Sequence, residues 1–181
     1  YCRFGRTADL ENLVDQLSYY NKMENHVFRY EVQECHLKAF VQAYLSENET
    51  FIKNNHLEIS LESETGHCIK MDKGAFKRVM DNLLTNSIRY RNKKTSSIYI
   101  TIKENSGTVF WSIKDDGPGV GQDDLEKIFE SFCRLDKARS HCSEGSGLGL
   151  AIVKRIVLNH HGIVYARNND GLEICMEFPA A

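Results

Sequence analysis

Residues 78–90 read RVMDNLLTNSIRY, and they sit inside a pattern that predicts a helix over about 73–91 with Asp72 as its N-cap. At about 100° of rotation per residue, Phe76, Met80, Leu83 and Ser87 share one face. Arg78, Asn82, Asn86, Arg89 and Lys93 share another. Asn is a poor helix former, so two of them four residues apart, flanked by cations, carry a local penalty. Taken alone, this stripe fits an ordinary solvated face. It also fits a site where a neutral amide oxygen completes the oxygen shell of a magnesium ion held by phosphates, with the cations balancing phosphate charge.

Two further stretches bear on that choice. Asp115-Asp116-Gly117-Pro118-Gly119 follows the alternating run Val109, Trp111, Ile113, which places a carboxylate at a strand end beside a backbone that can approach a flat ligand closely. An ionised carboxylate there would accept from the exocyclic amine of adenine, whereas a guanine carbonyl would leave the charge unpaired. Gly145-Ser146-Gly147-Leu148-Gly149-Leu150 opens directly into a predicted helix over 148–160, so free N–H groups and the positive helix end point at whatever lies above the turn. Leu150 breaks the GxGxxG fingerprint, and GxxxxGK[ST] occurs nowhere, which sets both of those nucleotide folds aside.

Outward from these stretches, Leu10, Leu13, Leu17 and Tyr20 give an apolar seam on a helix of about 8–26. That seam is too short for a secure coiled coil, and the helix could equally lie on its own domain. A helix over 37–54 precedes a half-buried strand at 57–61, and a short strand is predicted near 68–71. Alternating runs at 98–102 and 109–113 flank the turn residues Asn105-Ser106-Gly107. The polar stretch from Asp115 to Gly147 is too long for a plain connection and holds one short predicted helix around 125–132. Strands at 163–167 and 172–178 close the chain.

The 181 residues correspond to one domain with some thirty residues over, and Leu, Ile, Val and Phe make up about a quarter of them, enough for a core. Lys and Arg number 23 against 25 Asp and Glu, so the chain lacks the positive field expected of a nucleic-acid binder. No apolar run is long enough to cross a bilayer, and the first residue is Tyr1, as in a piece of a longer protein. The six cysteines contain no CxxC pair and read as free thiols in a reducing compartment. His141 and Cys142 together make an incomplete metal-ligand set.

In order along the chain, RVMDNLLTNSIRY (78–90), DDGPGV (115–120), IFESFCRLDKARS (128–140) and GSGLGLAIV (145–153) resemble the N box, first glycine box, F box and second glycine box of the catalytic ATP-binding domain of bacterial sensor histidine kinases. That family shares a superfamily with DNA gyrase, a heat-shock chaperone and mismatch-repair ATPases. The resemblance covers about residues 30–179. It implies an α+β fold, a two-layer sandwich of a mixed sheet of about five strands with helices on one face, preceded by a short helical stub. Residues 1–29 would be the end of the dimerisation and phosphotransfer helix with its linker, and 30–181 the ATP-binding domain.

By the same resemblance, Asn86 would be the magnesium ligand, Asn82 a phosphate or metal-shell contact, and Tyr90 an apolar wall against adenine. Arg89 and Arg134 would face the phosphates. Asp115 would take the adenine amine, with Gly117 and Gly119 permitting close approach, while Gly145, Gly147, Leu148 and Gly149 would form the phosphate end and hinge of a lid spanning about 121–146. Catalysis would rest on Asn82, Asn86 and Arg134. The implied cofactors are ATP and Mg²⁺. The implied partners are the phosphoacceptor helix of the same full-length kinase and a response regulator, in a homodimer whose cytoplasmic part this chain forms beneath an inner-membrane anchor.

Three departures qualify that picture. None of His26, His36, His56, His67, His141, His160 or His161 lies in the phosphoacceptor context of the family, so the acceptor is expected elsewhere. Asn82 stands where gyrase-like members have a water-activating Glu, which favours transfer to an external nucleophile over hydrolysis. Ser131 and Cys133 replace residues common in the F box. The rival reading from another class is a nucleotide-responsive regulatory module without kinase chemistry.

Overall fold

The computed structural model describes residues 3–25, 27–63, 66, 68–135 and 146–181, with side chains from residue 11 onward except that of residue 12. Gly145, His141 and Cys142 therefore lie outside the described residues, as does most of the second half of the predicted lid.

Helix α4 (Lys73–Tyr90) begins where the sequence places it, with Asp72 Oδ1 accepting from the Ala75 N–H at 2.9 Å. It buries Ala75, Phe76, Val79, Met80, Leu83, Leu84 and Ser87. Helix α5 (Gly149–Asn159) buries Ala151, Ile152, Val153, Ile156 and Val157. Both lie on one face of a mixed sheet formed by β2 (Leu57–Ser63), β4 (Ser96–Asn105), β5 (Thr108–Asp115), β7 (Leu172–Pro179) and β6 (Ile163–Asn168), in that spatial order. Only β2 and β4 run parallel. The expected five-stranded two-layer sandwich is therefore the observed one.

Strand alternation supplies the core. Ile100, Ile113 and Ile174 share one row across the central strands, and Ile102, Trp111 and Met176 the next. Phe76 stacks on Trp111 at 5.8 Å between ring centroids, which fixes α4 over the middle of the sheet. The β4–β5 turn, Ser106-Gly107, has φ of 51° and 80°, the doubly left-handed geometry that a two-residue hairpin needs.

Four local expectations are corrected. The helix over 37–54 is two, α2 (Leu37–Glu47) and α3 (Glu49–Asn54), because Asn48 turns its amide back to the Tyr44 carbonyl at 2.9 Å and ends the first. In place of one helix around 125–132 the chain forms a short 3₁₀ turn at Lys127–Phe129, preceded by another at Gln122–Asp124, and Phe132 takes a φ of 63°. A strand absent from the sequence reading, β1 (Gln33–His36), pairs antiparallel with β3 (Cys68–Met71). Finally, Lys93 lies beyond α4, which stops when Arg91 becomes extended, and its ammonium pairs with Asp116 at 2.8 Å instead of continuing the cationic face.

Helix α1 (Arg3–Glu24) lies on the domain by only part of its predicted seam, Tyr20 packing against the core. Leu13 and Leu17 stay more than one third exposed, whereas Tyr19 and Met23 join the core. The Arg78 guanidinium covers the Tyr19 ring at 4.1 Å. Tyr19, Phe28, Tyr30, His160 and Phe76 then form a continuous series of ring contacts from α1 to α4.

His160 is the polar link in that series. Its Nε2 accepts from the Asp72 N–H at 3.1 Å while Nδ1 lies 2.7 Å from the Ile156 carbonyl, a pairing that requires a neutral ring with its proton on Nδ1. Burial holds its pKa below the ordinary value, against the upward pull of the Ile156 carbonyl and Asp72; neighbouring His161 adds to the lowering. The unfolded chain takes up this proton near pH about 6.5 and the folded chain resists it, so stability falls as pH drops through that value. Denaturant titrations on either side of about pH 6.5 should show a lower midpoint on the acid side, with a smaller difference in His160→Gln. An equal difference in both proteins would assign the acid sensitivity to other groups.

Candidate nucleotide-binding site

A cavity of about 520 Å³ opens between the C-terminal half of α4, the end of β5, the start of β7 and the first turn of α5. That volume lies in the range of small-molecule sites. Of the residues singled out from sequence, Asn86, Arg89, Tyr90, Asp115, Gly119, Gly147 and Gly149 line it. Asn82, Gly117, Arg134 and Leu148 lie outside the lining.

The Asp115 carboxylate is held from its own backbone neighbourhood. Oδ1 accepts from the Gly117 N–H at 2.9 Å and from the Leu172 N–H at 3.1 Å. Oδ2 lies 3.4 Å from the Ser87 hydroxyl, which also donates to the Leu83 carbonyl. One oxygen is thus fully committed to orienting the group, and the other is left with a long, weak contact to the buried Ser87 hydroxyl. Gly117 contributes through its amide, which explains its absence from the lining.

Leu172 was not legible as a site residue, because its proximity to Asp115 follows from the β5–β7 register, in which Ile113 pairs with Ile174. The turn feeding it is stiffened by Glu173, which accepts from Arg167 at 2.8 and 3.1 Å and from Asn169 at 2.9 Å. Burial pushes the Glu173 carboxyl up, but these partners outweigh it and hold the pKa at about 2.

Asn82 stands one turn ahead of Asn86 and donates to the Arg78 carbonyl at 2.9 Å. Its Oδ1 faces Gly149 so closely that a Cβ on that glycine would meet it at 3.1 Å. Asn82 thus lies close beside the first turn of α5. Leu148 is fully buried in the core, and its N–H donates to Ser146 Oγ at 3.1 Å. Its side chain packs in the core. Arg134 is exposed, while Cys133 and Leu135 on either side of it line the cavity. Gly147 has φ of 69°, and a Cβ there would fall 2.8 Å from the Phe132 carbonyl carbon. The Phe132 N–H donates to the Gly147 carbonyl at 2.9 Å, which ties the two ends of the 133–146 stretch together.

The sequence reading missed Pro118, Val120, Gly121, Asp124, Ile128, Cys133, Leu135, Leu150 and Leu172 as lining residues. Ile128, one of the few apolar residues in a polar stretch, carried a usable signal. The others are brought in by the fold.

Residues 71–181 match the family of histidine kinase-, DNA gyrase B- and HSP90-like ATPases. The sensor-like histidine kinase SenX3 of Mycolicibacterium smegmatis is 33% identical over 133 residues, covering 74% of this chain and 34% of that protein. The sensor protein RstB of Escherichia coli is 32% identical over 157 residues, 87% of this chain and 35% of that protein. The chain thus spans about a third of these curated relatives. Full-length ShkA in complex with AMPPNP superposes with a TM-score of 0.81 at 23% identity over 97% of this chain and 37% of that one. Histidine kinase ThkA in complex with the response regulator TrrA gives 0.77 at 23% identity over 98% of this chain and 49% of that one. At these identities the structural likeness speaks for the fold.

Proposed function

The chain belongs to the histidine kinase-, DNA gyrase B- and HSP90-like ATPases, and on that premise we propose that it binds Mg·ATP in the cavity and presents the γ-phosphate to a histidine on an adjoining helical domain. The observation that carries this reading is the Asp115 carboxylate, oriented by two backbone amides in a cavity that also contains Asn86, Arg89 and the first turn of α5. An anion acceptor for an adenine amine and an amide-rich helix start for phosphates suit the two ends of one nucleotide.

In this reading Asp115 orients the base, Tyr90 supplies a flat wall, and Gly119 lets the backbone approach. Arg89 and the exposed Arg134 face the phosphates, and Gly147 and Gly149 present amides to them, with Gly145 in the same run. Asn82 holds the first turn of α5 in place beside the phosphate end. The donor chemistry fits magnesium: the Asn86 carboxamide, which lines the cavity, is a hard neutral oxygen. The ion would enter with the phosphates and neutralise charge on them during transfer. An imidazole nitrogen of the partner attacks the γ-phosphorus in line, its bond to the β–γ bridging oxygen breaks, and ADP leaves.

We extend the proposal to the whole protein. Residues 1–29 form the end of a dimerisation helix with its linker, and 30–181 the ATP-binding domain of a membrane-anchored homodimer that passes its phosphoryl group to a response regulator. Among the described residues no helix is long and apolar enough to cross a membrane.

The test mixes this chain with radiolabelled ATP and a separately made phosphotransfer domain. Acid-labile, histidine-linked label should appear on the added domain and not on this chain alone, and Asn86→Ala should reduce it at least about tenfold. Nucleotide binding without transfer to any histidine domain would support the regulatory-module reading instead. Stoichiometric phosphohistidine on the chain alone would overturn the division of labour.

A further inference from the structure

Helix α1 reaches the cavity-bearing segments through two hydroxyl bridges that the nucleotide reading leaves unused. Ser131 Oγ donates to Tyr20 Oη at 2.6 Å, and Ser146 Oγ donates to Gln16 Oε1 at 2.5 Å. Gln16 and Tyr20 are four residues apart and so occupy one face of α1. One turn further, Glu24 pairs with Arg155 of α5.

The two serines sit in the segments that border the cavity. Cys133 and Leu135 follow the first, and Gly147 follows the second. Ser146 Oγ, while donating to Gln16, accepts the Leu148 N–H at 3.1 Å. The result is a series running from the amide just ahead of α5, through a hydroxyl, to α1. A hydroxyl whose proton is engaged is a better acceptor, so the Gln16 contact strengthens the hold on that amide.

We propose that Gln16 and Tyr20 are positioning residues for the nucleotide site: from α1 they fix the Ser131 and Ser146 segments in the geometry that binds nucleotide. The proposal rests on the nucleotide reading of the cavity. By linkage, a docked α1 tightens nucleotide binding, and bound nucleotide tightens the docking of α1 by the same factor. Neither residue contacts the ligand. Each acts through a serine.

The experiment titrates Mg·AMPPNP calorimetrically into the whole chain and its variants. Tyr20→Phe and Ser131→Ala should each weaken binding about three- to tenfold, the size of one neutral hydrogen bond. The double variant should be no weaker than either single one, and Ser131→Thr, which keeps the hydroxyl, should restore affinity. A merely structural role would not produce that rescue pattern. Affinities within twofold of the parent in Tyr20→Phe and Ser131→Ala would overturn the proposal, as would tighter binding. In nucleotide-free protein, Gln16→Ala should accelerate hydrogen exchange at the Leu148 amide, and an unchanged rate there would also overturn it. Should the parent chain fail to bind AMPPNP, the nucleotide reading fails, while the Leu148 exchange rate still decides whether α1 positions the segment.

Discussion

Asp115→Asn should lower ATP affinity by about 10- to 150-fold while leaving the fold in place, the loss corresponding to about 1.5–3 kcal/mol for a hydrogen bond to a charged group. The variant keeps an oxygen where Oδ1 accepts from Gly117 and Leu172, so the bonds that orient the side chain survive. What changes is the other terminus. In the proposed binding mode Oδ2 would accept from the adenine amine; as an NH₂ it would meet that amine donor to donor and leave it without a partner. If the carboxylate is the source of discrimination against GTP, as proposed, that discrimination should shrink accordingly. Calorimetric titration of both nucleotides into parent and variant measures this directly. Unchanged ATP affinity, or equal parent affinity for ATP and GTP, would remove Asp115 from base recognition.

Gly171→Ala should be the most damaging single methyl addition, destabilising the domain by about 3 kcal/mol or more. Gly171 has φ of 139°, and a Cβ there would lie 1.8 Å from the Asp115 carbonyl oxygen and 2.8 Å from its carbon. Both are main-chain atoms, so no side chain can swing aside. The turn must move, and with it the Leu172 amide that orients the Asp115 carboxylate. Gly107→Ala is the matched control: its φ of 80° is also left-handed, but a Cβ there meets nothing within 4 Å. It should lose only about 1–2 kcal/mol from backbone preference. Denaturant midpoints separate the two, and a Gly171→Ala protein as stable as Gly107→Ala would show that the β6–β7 turn yields without cost.

The site was legible where chemistry and local periodicity coincide. Asp72 as a cap, the buried face of α4, the hairpin at Ser106-Gly107 and the helix start at Gly149 each depend on residues within a turn or two of one another. Contributions that depend on distant pairing were not legible. Leu172 belongs to the site only because β7 lies beside β5, and Gln33–His36 is a strand only because Cys68–Met71 lies beside it. The face by which α1 docks was misread in part for a related reason: of the 3-4-3 stripe Leu10, Leu13, Leu17 and Tyr20, Tyr20 packs on the core, yet Tyr19 and Met23 are the buried residues, Tyr19 because Arg78 and Phe28 are there to receive it. Asn82 illustrates a finer limit, since its helical position was correct but its contact with Gly149 emerges only when α5 packs alongside α4.

The order in which the sheet is wired also sets the order in which it can assemble. Strands β4 and β5 are joined by two residues and can close in about 1–10 μs, whereas β5 meets β7, and β2 meets β4, only after long intervening segments have been drawn in. The central hairpin is thus the earliest piece of sheet available, and it exposes Trp111 and the isoleucines of β4 and β5 until α4 and α5 arrive to cover them. That interval is the chain's window of vulnerability to self-association. The cavity, whose walls come from α4, β5, α5 and β7, is complete only when the window has closed, so a bound nucleotide can hold the finished domain together by mass action but arrives too late to chaperone its birth.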